Sequence, residues 1–149
     1  MKRLFINASS EPDGQTARLA AELFGDQDYQ TLNLVNYHIA QIGQETDGQD
    51  DFKRVCDRIA DADMLVMGTP IYWSDMTGYM KAFIDRMTDV RLTINPFNGK
   101  KLYLIITGTA PQDAIPSVTH VWEHVSQRYG MVFSGAVTDS KQAKSIQID

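Results

Sequence analysis

The sequence predicts an α/β protein with one open parallel sheet, because apolar segments typical of strands alternate with segments of helical periodicity along the whole chain. Residues 64–67 form a continuous apolar run closed by Gly68, and residues 102–106 form a second run of the same kind. Such runs are typical of strands buried on both faces of a parallel sheet. The 149 residues show no linker, repeat or change of composition, so one domain over residues 1–149 is expected.

The first half of the chain predicts two strands and two helices. A strand is expected at residues 4–6, where the apolar run ends at Asn7, and a second strand between residues 29 and 34. A first helix is expected to begin at residue 14 or 16 and to end at Gly25, with one apolar face formed by Leu19, Ala20, Leu23 and Phe24. A second helix is expected where Phe52, Val55, Cys56 and Ile59 share one face. Cys56 is therefore expected in the core, and the polar residues 37–51 form a long connection.

The second half continues the alternation, for a total of five strands and four clear helices. Strands are expected at residues 64–67, 101–106 and 131–137. Helical spacing recurs in two further segments: Met76, Tyr79, Met80, Phe83, Ile84 and Met87, and then Ile115, Val118, Trp122 and Val125. Ser74 or Asp75 is expected to cap the third helix, and Lys81 to pair with Asp85.

Composition and charge argue against several classes of protein. The chain carries 14 Lys or Arg and 19 Asp or Glu, a net charge of −5, and no basic helix face, which disfavours nucleic acid and anionic membranes as partners. No apolar run approaches the ~20 residues that span a bilayer, and the run after Met1 reaches Asn7 too soon for a signal peptide. A single cysteine excludes an intramolecular disulfide and a four-cysteine metal site, so a reducing, cytoplasmic location is expected. His120 and His124 have zinc-ligand spacing but no evident third ligand, which favours a solvated face and no metal.

Three loops are expected at the carboxyl ends of the strands, where open parallel sheets bind their ligands. The first, residues 8–16, is rich in hydroxyls and precedes a helix, so it can donate hydrogen bonds to a phosphate; an ordinary helix cap would explain the same residues. The second, residues 69–78, places Tyr72 and Trp73 where flat rings suit a flat ligand, although they could also simply cap the sheet. The third is residues 107–113. The sequence contains no G-x-G-x-x-G, Walker or G-x-S-x-G motif.

Two motifs together resemble the NAD(P)H-dependent FMN reductase family of flavodoxin-like proteins. The first is Ser-Ser-Glu-Pro-Asp-Gly-Gln-Thr at residues 9–16. The second, more specific motif is Thr-Pro-Ile-Tyr-Trp-Ser-Asp-Met-Thr-Gly-Tyr-Met-Lys-Ala-Phe-Ile-Asp-Arg at residues 69–86. The resemblance covers nearly the whole chain in element order, and it implies a flavodoxin-like doubly wound sheet of five parallel strands in the order 2-1-3-4-5, with a shortened C-terminal element.

The resemblance also implies FMN as the cofactor and NADH or NADPH as the co-substrate. The FMN phosphate would lie in the first loop, the isoalloxazine ring against the second, and the third loop near the other edge of the ring. The implied phosphate contacts are Ser9, Gly14, Gln15 and Thr16. The implied ring contacts are Pro70, Ile71, Tyr72, Trp73, Met76, Thr107, Gly108 and Thr109.

The chain departs from similar proteins in two places. Glu11 stands where such proteins often have a basic residue, so a carboxylate is expected near the phosphate and FMN binding is expected to be weaker. Relatives with an iron–sulfur cluster carry cysteines after the second strand, whereas residues 36–41 contain none. A cluster-bearing flavoprotein is therefore excluded.

The favoured function is an FMN-dependent oxidoreductase that passes electrons from NAD(P)H to a small-molecule quinone, azo, nitro or flavin acceptor. The flavin would carry the chemistry, so no catalytic side chain is expected. With no second nucleotide domain, nicotinamide and acceptor would use the exposed flavin face in turn, which predicts ping-pong kinetics. Two alternatives stay open: an electron-transfer flavodoxin-like carrier without reductase activity of its own, and a flavin-free domain whose first loop binds another ligand.

The short C-terminal segment predicts a homodimer. In the flavodoxin topology the first and fifth helices cover one face of the sheet, but residues 140–149 offer only two or three apolar contacts. Part of the sheet, or the side of the first helix that carries Leu19 and Leu23, is therefore expected to stay uncovered, and exposed apolar surface usually marks a partner. We expect this segment or the neighbouring sheet face to form the dimer contact, with the flavin near the subunit boundary.

Overall fold

The computed structural model describes residues 1–90 and 94–148 and contains a parallel sheet with helices on both faces. The strands are β1 (Arg3–Asn7), β2 (Gln30–Asn33), β3 (Met64–Tyr72), β4 (Asp75–Met76), β5 (Lys101–Thr107) and β6 (Val132–Val137). The helices are α1 (Gln15–Phe24), α2 (Phe52–Ala60), α3 (Gly78–Arg86), α4 (Ile115–Tyr129) and α5 (Ser140–Ser145), with short 3-10 helices at Leu34–Asn36 and Met87–Val90.

The sheet has the strand order β2-β1-β3-β5-β6, and all of these neighbours pair in parallel. The two-residue strand β4 pairs antiparallel with the end of β3 and lies outside this path. When β4 is left out and the five parallel strands are numbered in chain order, the strand order is 2-1-3-4-5, which confirms the predicted topology. Because the strands are parallel, the loops that follow β1, β2, β3 and β5 meet at one edge of the sheet, and we call this the carboxyl edge.

The sheet separates two cores. The larger core packs α2, α3 and α4 against one face, and the smaller core packs α1 and α5 against the other. Successive residues of β3 alternate between them, since Leu65 and Met67 belong to the larger core and Val66 to the smaller. This arrangement explains the continuous apolar runs of the sequence, because a strand covered on both faces has no solvent-facing side.

The C-terminal segment covers the side of α1 that carries Leu19 and Leu23, so this side is not left uncovered. Leu19 and Leu23 are only 7% and 3% exposed. Ala143 of α5 and Ile148 are buried in the same core, and the Gln27 Nε2 atom donates to the Ile148 carbonyl at 2.9 Å. The prediction that this segment leaves α1 uncovered for a dimer contact is therefore wrong for residues 140–148. Asp149 lies outside the described residues.

The start of α3 differs from the prediction. Met76 belongs to β4, and Thr77 caps the helix by accepting a hydrogen bond from the Met80 amide. Ser74 and Asp75, the expected caps, are used elsewhere: the Ser74 hydroxyl donates to the Asp113 carboxylate, and Asp75 accepts from the Met76 amide. The expected ion pair between Lys81 and Asp85 is confirmed at 2.5 Å.

The described residues contain neither a candidate metal site nor a helix that could cross a membrane. His120 and His124 are exposed, and across residues 1–90 and 94–148 no group of three or more His, Cys, Asp and Glu side chains could hold a metal ion. Within the same ranges, every helix is too short or too polar to cross a membrane.

Cys56 should be chemically inert in the folded protein. It is free and buried in the larger core, as predicted, and burial raises the pKa of its thiol to about 12. Because the thiolate is the reactive form, iodoacetamide at about pH 8 should label folded protein far more slowly than protein unfolded in guanidinium. The chain has one cysteine, so the mass of the intact protein reports this site alone. Equal labelling rates with and without denaturant would contradict the burial.

Candidate functional site at the carboxyl edge

The first loop is held in place by Asn7, the last residue of β1. Its buried side chain accepts from the Ser9 amide at 3.1 Å and donates to the Pro12 carbonyl at 3.3 Å. The Ser9 hydroxyl in turn accepts from the Glu11 amide at 3.1 Å. The sequence prediction used Asn7 only as the end of a strand. An amide side chain at the end of a buried strand is the signal that could have identified it, because it can bond to the chain on both sides.

The start of α1 offers unused hydrogen-bond donors. Gly14 is the N-cap residue, and no side chain caps the helix. The first backbone amides of a helix have no partner within it, so an anion at this position would satisfy them and interact favourably with the helix dipole. Gln15 is the first helical residue and is exposed, while Thr16 is only 1% exposed.

The Thr16 side chain connects α1 to the end of β5. Its hydroxyl lies 2.8 Å from that of Thr107, and either hydroxyl can be the donor. The helix can approach this closely because residue 68 of β3 is glycine: a Cβ atom there would lie 2.7 Å from Phe5 Cε2 and 2.7 Å from Thr16 Cγ2. Gly68 therefore brings the first and third loops within hydrogen-bond reach of each other.

Glu11 places a carboxylate at the start of α1. A Cβ atom built on Gly14 would lie 3.2 Å from Glu11 Oε2, so the carboxylate lies against the N-cap residue. This geometry confirms that a negative charge lies near the loop in which the resemblance places the FMN phosphate. A phosphate there would have to share the helix start with Glu11 or displace it.

The second region is a β-hairpin, so the expectation of a loop over residues 69–78 is wrong. Strand β3 continues to Tyr72, and β4 returns antiparallel with Tyr72 opposite Asp75. The two residues between them, Trp73 and Ser74, have φ values of 51° and 63°. Two-residue turns of this kind usually contain Asn-Gly, and Trp-Ser carries no such signal, which is why the sequence did not predict the hairpin.

Thr77 joins the base of the hairpin to the first loop. Its hydroxyl donates to the Ala8 carbonyl at 2.7 Å, and its amide donates to the Thr69 hydroxyl at 3.1 Å. Thr69 and Thr77 are both buried. The sequence prediction missed Thr77 because it assigned the cap of α3 to Ser74 or Asp75. Threonine is a preferred N-cap residue, so Thr77 directly before Gly78 is the signal that could have identified the cap.

The tip of the hairpin is bonded to both neighbouring loops. The Tyr72 hydroxyl lies 3.0 Å from the Ser10 hydroxyl in the first loop. On the other side, the Ser74 hydroxyl donates to Asp113 in the third loop. The three predicted loop regions are therefore connected by side-chain hydrogen bonds.

The predicted ring contacts differ in exposure. Tyr72 is 46% exposed, and Trp73 at the tip is 100% exposed. Met76 is buried beneath the hairpin, while Pro70 and Ile71 are partly buried. A flat ligand at the hairpin can therefore reach Ile71 and Tyr72, whereas Met76 supports the hairpin from the core.

The third loop approaches the hairpin through its backbone. A Cβ atom on Gly108 would lie 3.5 Å from Ile71 Cβ, and Gly108 has a φ of 152°, which favours glycine. Thr107 is buried at the end of β5, and Thr109 is exposed. The structure thus brings Thr107 and Gly108 to the site, with Thr109 at its solvent-facing side.

A recess of about 410 Å³ lies beside the hairpin, between the start of α3 and residues 34–44. We call it the tyrosine recess, because Tyr37, Tyr72 and Tyr79 line it. Of the predicted cofactor contacts, only Tyr72 is part of its lining. Sequence reasoning missed the recess, since residues 37–44 belong to a polar connection without periodicity.

The residues of the carboxyl edge fit the group that the resemblance implies. The uncapped start of α1 lies beside the buried hydroxyls of Ser9 and Thr16, a donor set suited to a phosphate. The partly exposed face of the hairpin, with Tyr72, suits a flat ring. The Glu11 carboxylate, which lies against the N-cap residue, is unfavourable for a phosphate at the start of α1.

Comparison with known proteins supports the same assignment. A Bacillus subtilis protein, YwqN, described as a candidate NAD(P)H-dependent FMN-containing oxidoreductase, is 30% identical over 151 residues, covering 92% of this chain and 83% of YwqN. An iron–sulfur flavoprotein of Archaeoglobus fulgidus is 27% identical over 105 residues, covering 62% of this chain and 51% of that protein. The solved structure of the Trp repressor binding protein from Bacillus subtilis matches with a TM-score of 0.79 at 24% identity, with 99% of each chain covered. The model of the NADPH-dependent FMN reductase family matches residues 1–143, a range that contains both motifs, and the chain belongs to that family.

Proposed function

We propose that residues 1–149 form one FMN-binding domain that transfers electrons from NADH or NADPH to a small-molecule quinone, azo, nitro or flavin acceptor. Membership of the family makes the chain an NAD(P)H-dependent FMN oxidoreductase with a flavodoxin-like fold. The proposal adds the residues of the site and the classes of acceptor. The observation that carries it is the uncapped start of α1, which lies beside buried hydroxyls. Ser10 of the first loop, which leads into this helix, is bonded to Tyr72 of the exposed aromatic hairpin.

In this proposal the first loop holds the FMN phosphate. Ser9, Gly14, Gln15 and Thr16 would provide hydroxyls and the free amides of α1. A hydroxyl can accept one hydrogen bond while it donates another, so Thr16 can accept from Thr107 and donate to the phosphate at the same time. Thr107 would then orient the Thr16 proton.

The hairpin and the third loop would hold the ring. Pro70, Ile71 and Tyr72 would contact one side, and Gly108 and Thr109 would approach the other edge through their backbone. When bound, FMN supplies the redox chemistry, because it can take two electrons from a nicotinamide and pass them to an acceptor. The protein binds and orients the flavin, and the hydrogen bonds of Tyr72 and Ser74 fix the hairpin that supports it.

A homodimer and a cytoplasmic location are also part of the proposal. Trp73, Tyr72 and Tyr79 form an exposed aromatic surface at the hairpin, and exposed aromatic side chains are frequent in subunit contacts. This surface, rather than the C-terminal segment, supports a dimer with the flavin near the boundary. The free thiol of Cys56 is compatible with a reducing compartment.

Activity is the decisive test. Purified protein loaded with FMN should oxidise NADH or NADPH steadily when a quinone is present, measured as loss of nicotinamide absorbance. The control is free FMN at the same concentration without protein. An electron carrier without reductase activity would show almost no turnover under these conditions, and that result would reject the proposed function.

Thr16→Val should weaken FMN binding. Loss of a hydrogen bond to a charged group costs about 1.5–3 kcal/mol, which corresponds to a roughly ten- to hundredfold higher Kd. Thr107→Val should have a smaller effect, because it would only remove the group that orients Thr16. Fluorescence titration of the apoprotein measures both. Thr31→Val, an exposed position on β2, is the matched control. Unchanged affinity in folded Thr16→Val protein would remove Thr16 from the phosphate site.

Tyr72 should quench flavin fluorescence more than Trp73 does. Tyr72 is proposed to contact the ring and is bonded to the first loop, whereas Trp73 at the tip of the hairpin is fully exposed to solvent. Tyr72→Ala should therefore lose part of the quenching and some affinity, since an aromatic contact contributes about 0.5–1.5 kcal/mol beyond area burial. Trp73→Ala should lose less. Full quenching in both variants would contradict the placement of the ring against the hairpin.

A further inference from the structure

A cavity of about 310 Å³ lies at the edge of the sheet where β1, β2 and β3 begin, opposite the carboxyl edge. We call it the amino-edge cavity. Its volume falls at the lower end of the range of small-molecule sites, roughly 300–1,000 Å³. The lining consists of residues 1–4 and 28–30 together with Arg58, Asp61 and Ala62 at the end of α2. It contains none of the predicted cofactor contacts, so the proposed function gives it no role.

Basic side chains outnumber acidic ones in this lining. Lys2, Arg3 and Arg58 stand against Asp28 and Asp61, although the whole chain has a net charge of −5. None of the ion pairs between described residues includes Arg3 or Arg58. The two guanidinium groups therefore bring to the cavity positive charge that no described carboxylate pairs with.

Arg3 carries a hydrogen-bond donor that the fold leaves unused. Its Nε atom is buried, and none of the described residues provides an acceptor for it. A buried donor without a partner costs free energy, and the cost is larger for a charged group than for a neutral one. Arg3 lines the cavity, and an anionic group bound there would supply an acceptor for its guanidinium.

Arg58 is directed to the cavity by a neutral partner, since its Nη2 atom donates to the Gln30 Oε1 atom at 3.0 Å. A basic residue in the last turn of a helix often serves only to neutralise the carbonyl end of that helix. At the end of α2, however, Lys100 provides this charge: its Nζ atom donates to the Ala60 carbonyl at 3.4 Å and to the Ala62 carbonyl. The Arg58 guanidinium is therefore available to a ligand.

The two carboxylates of the lining are poorly placed to neutralise the arginines. Asp28 and Asp61 are exposed, so water screens their charge. Asp61 also lies near Lys100: burial lowers the pKa of the Lys100 ammonium, and the charges of Asp63 and Asp61 oppose this shift. Asp61 thus already has a cationic neighbour outside the lining.

The remaining lining is apolar and includes an aromatic ring. Tyr29 stacks on the buried Phe24 ring with centroids 4.0 Å apart and an interplanar angle of 12°, which fixes its orientation. Leu4 and Ala62 are buried residues of the same lining. A flat organic group would find apolar contacts there, while a charged substituent on it would meet the arginines.

We propose that the amino-edge cavity is a second ligand site and that it binds a small planar organic anion whose carboxylate or phosphate group is held by Arg3 and Arg58. Guanidinium groups suit both anions, because they bind two oxygen atoms through parallel hydrogen bonds. The site lies at the opposite edge of the sheet from the proposed cofactor site, so its ligand does not compete with FMN. This inference goes beyond the proposed function and does not depend on it.

Direct binding tests the site. FMN-loaded protein, in which the first loop is filled, is titrated by calorimetry with 4-hydroxybenzoate, a planar carboxylate, and with adenosine monophosphate, a phosphate ester with a flat ring. At least one of them should bind with a Kd below about 0.1 mM. Which of them binds identifies the anionic group as carboxylate or phosphate. Adenosine, which lacks the phosphate, should bind at least about tenfold more weakly than adenosine monophosphate if the phosphate is recognised. Absence of binding by both anions would overturn the inference.

A matched pair of variants locates the bound anion. Arg58→Gln should weaken binding at least about tenfold. Lys53→Gln removes the same charge from the same helix, but residue 53 is exposed and outside the lining, so the affinity should stay that of the wild type. Wild-type affinity in Arg58→Gln protein would place the anion elsewhere and overturn the inference. An equal loss of affinity in both variants would show attraction by overall charge alone and would also overturn it.

Arg3→Met tests the unused donor, because it removes the guanidinium and keeps an unbranched apolar side chain. Without ligand, the variant should melt about 2–4 °C higher than the wild type, since an unpaired buried donor is gone. In the wild type, a ligand at about a hundredfold its Kd should raise the Tm by about 5–10 °C, and in Arg3→Met protein this shift should be lost. A full ligand-induced shift in Arg3→Met protein would exclude Arg3 from the site and overturn the inference.

Discussion

The close contact between α1 and β3 is the constraint on which the rest of the carboxyl edge depends. At Gly68 the strand backbone lies so near Phe5 and Thr16 that a Cβ atom would clash with both at 2.7 Å. This contact allows the Thr16 hydroxyl to reach the Thr107 hydroxyl. It also places the start of α1 where the first and third loops meet. The first amides of that helix have no side-chain cap, because its N-cap residue is Gly14.

The hairpin joins the proposed cofactor site to the tyrosine recess. Thr77 bonds its base to the first loop, and Tyr72 and Ser74 bond its tip to the loops on either side. A hairpin fixed at both ends can keep large aromatic side chains in solvent without collapsing onto the core. Tyr72 lines the recess and is also a proposed contact of the cofactor, so a ligand in either region would meet the same side chain. Exposed aromatic surface of this kind is unusual away from binding sites, and here three aromatic residues share it.

Charge is distributed unevenly over the carboxyl edge. Glu11 places a carboxylate against the start of α1, where a phosphate would meet it, so electrostatic repulsion would oppose part of the gain from the helix amides. The ionic groups around Arg86, by contrast, lie behind the wall of the recess, and none of the described residues that line it is Asp, Glu, Lys or Arg. These local charges depend on where a few side chains lie rather than on the net charge of −5.

The sequence by itself determined the alternation of strands and helices, the buried position of Cys56 and, through its two motifs, the strand order and the family. These properties follow from local patterns, because periodicity reports which residues are buried and the motifs span contiguous residues. Tertiary structure alone decided the hairpin at Trp73 and Ser74, the burial of Leu19 and Leu23 by α5, and the tyrosine recess. Positive φ values at Trp and Ser leave no compositional signal. Whether Ala143, Ile146 and Ile148 cover α1 depends on where the C-terminal segment packs. A cavity between residues 34–44 and 72–82 exists only once the chain has folded.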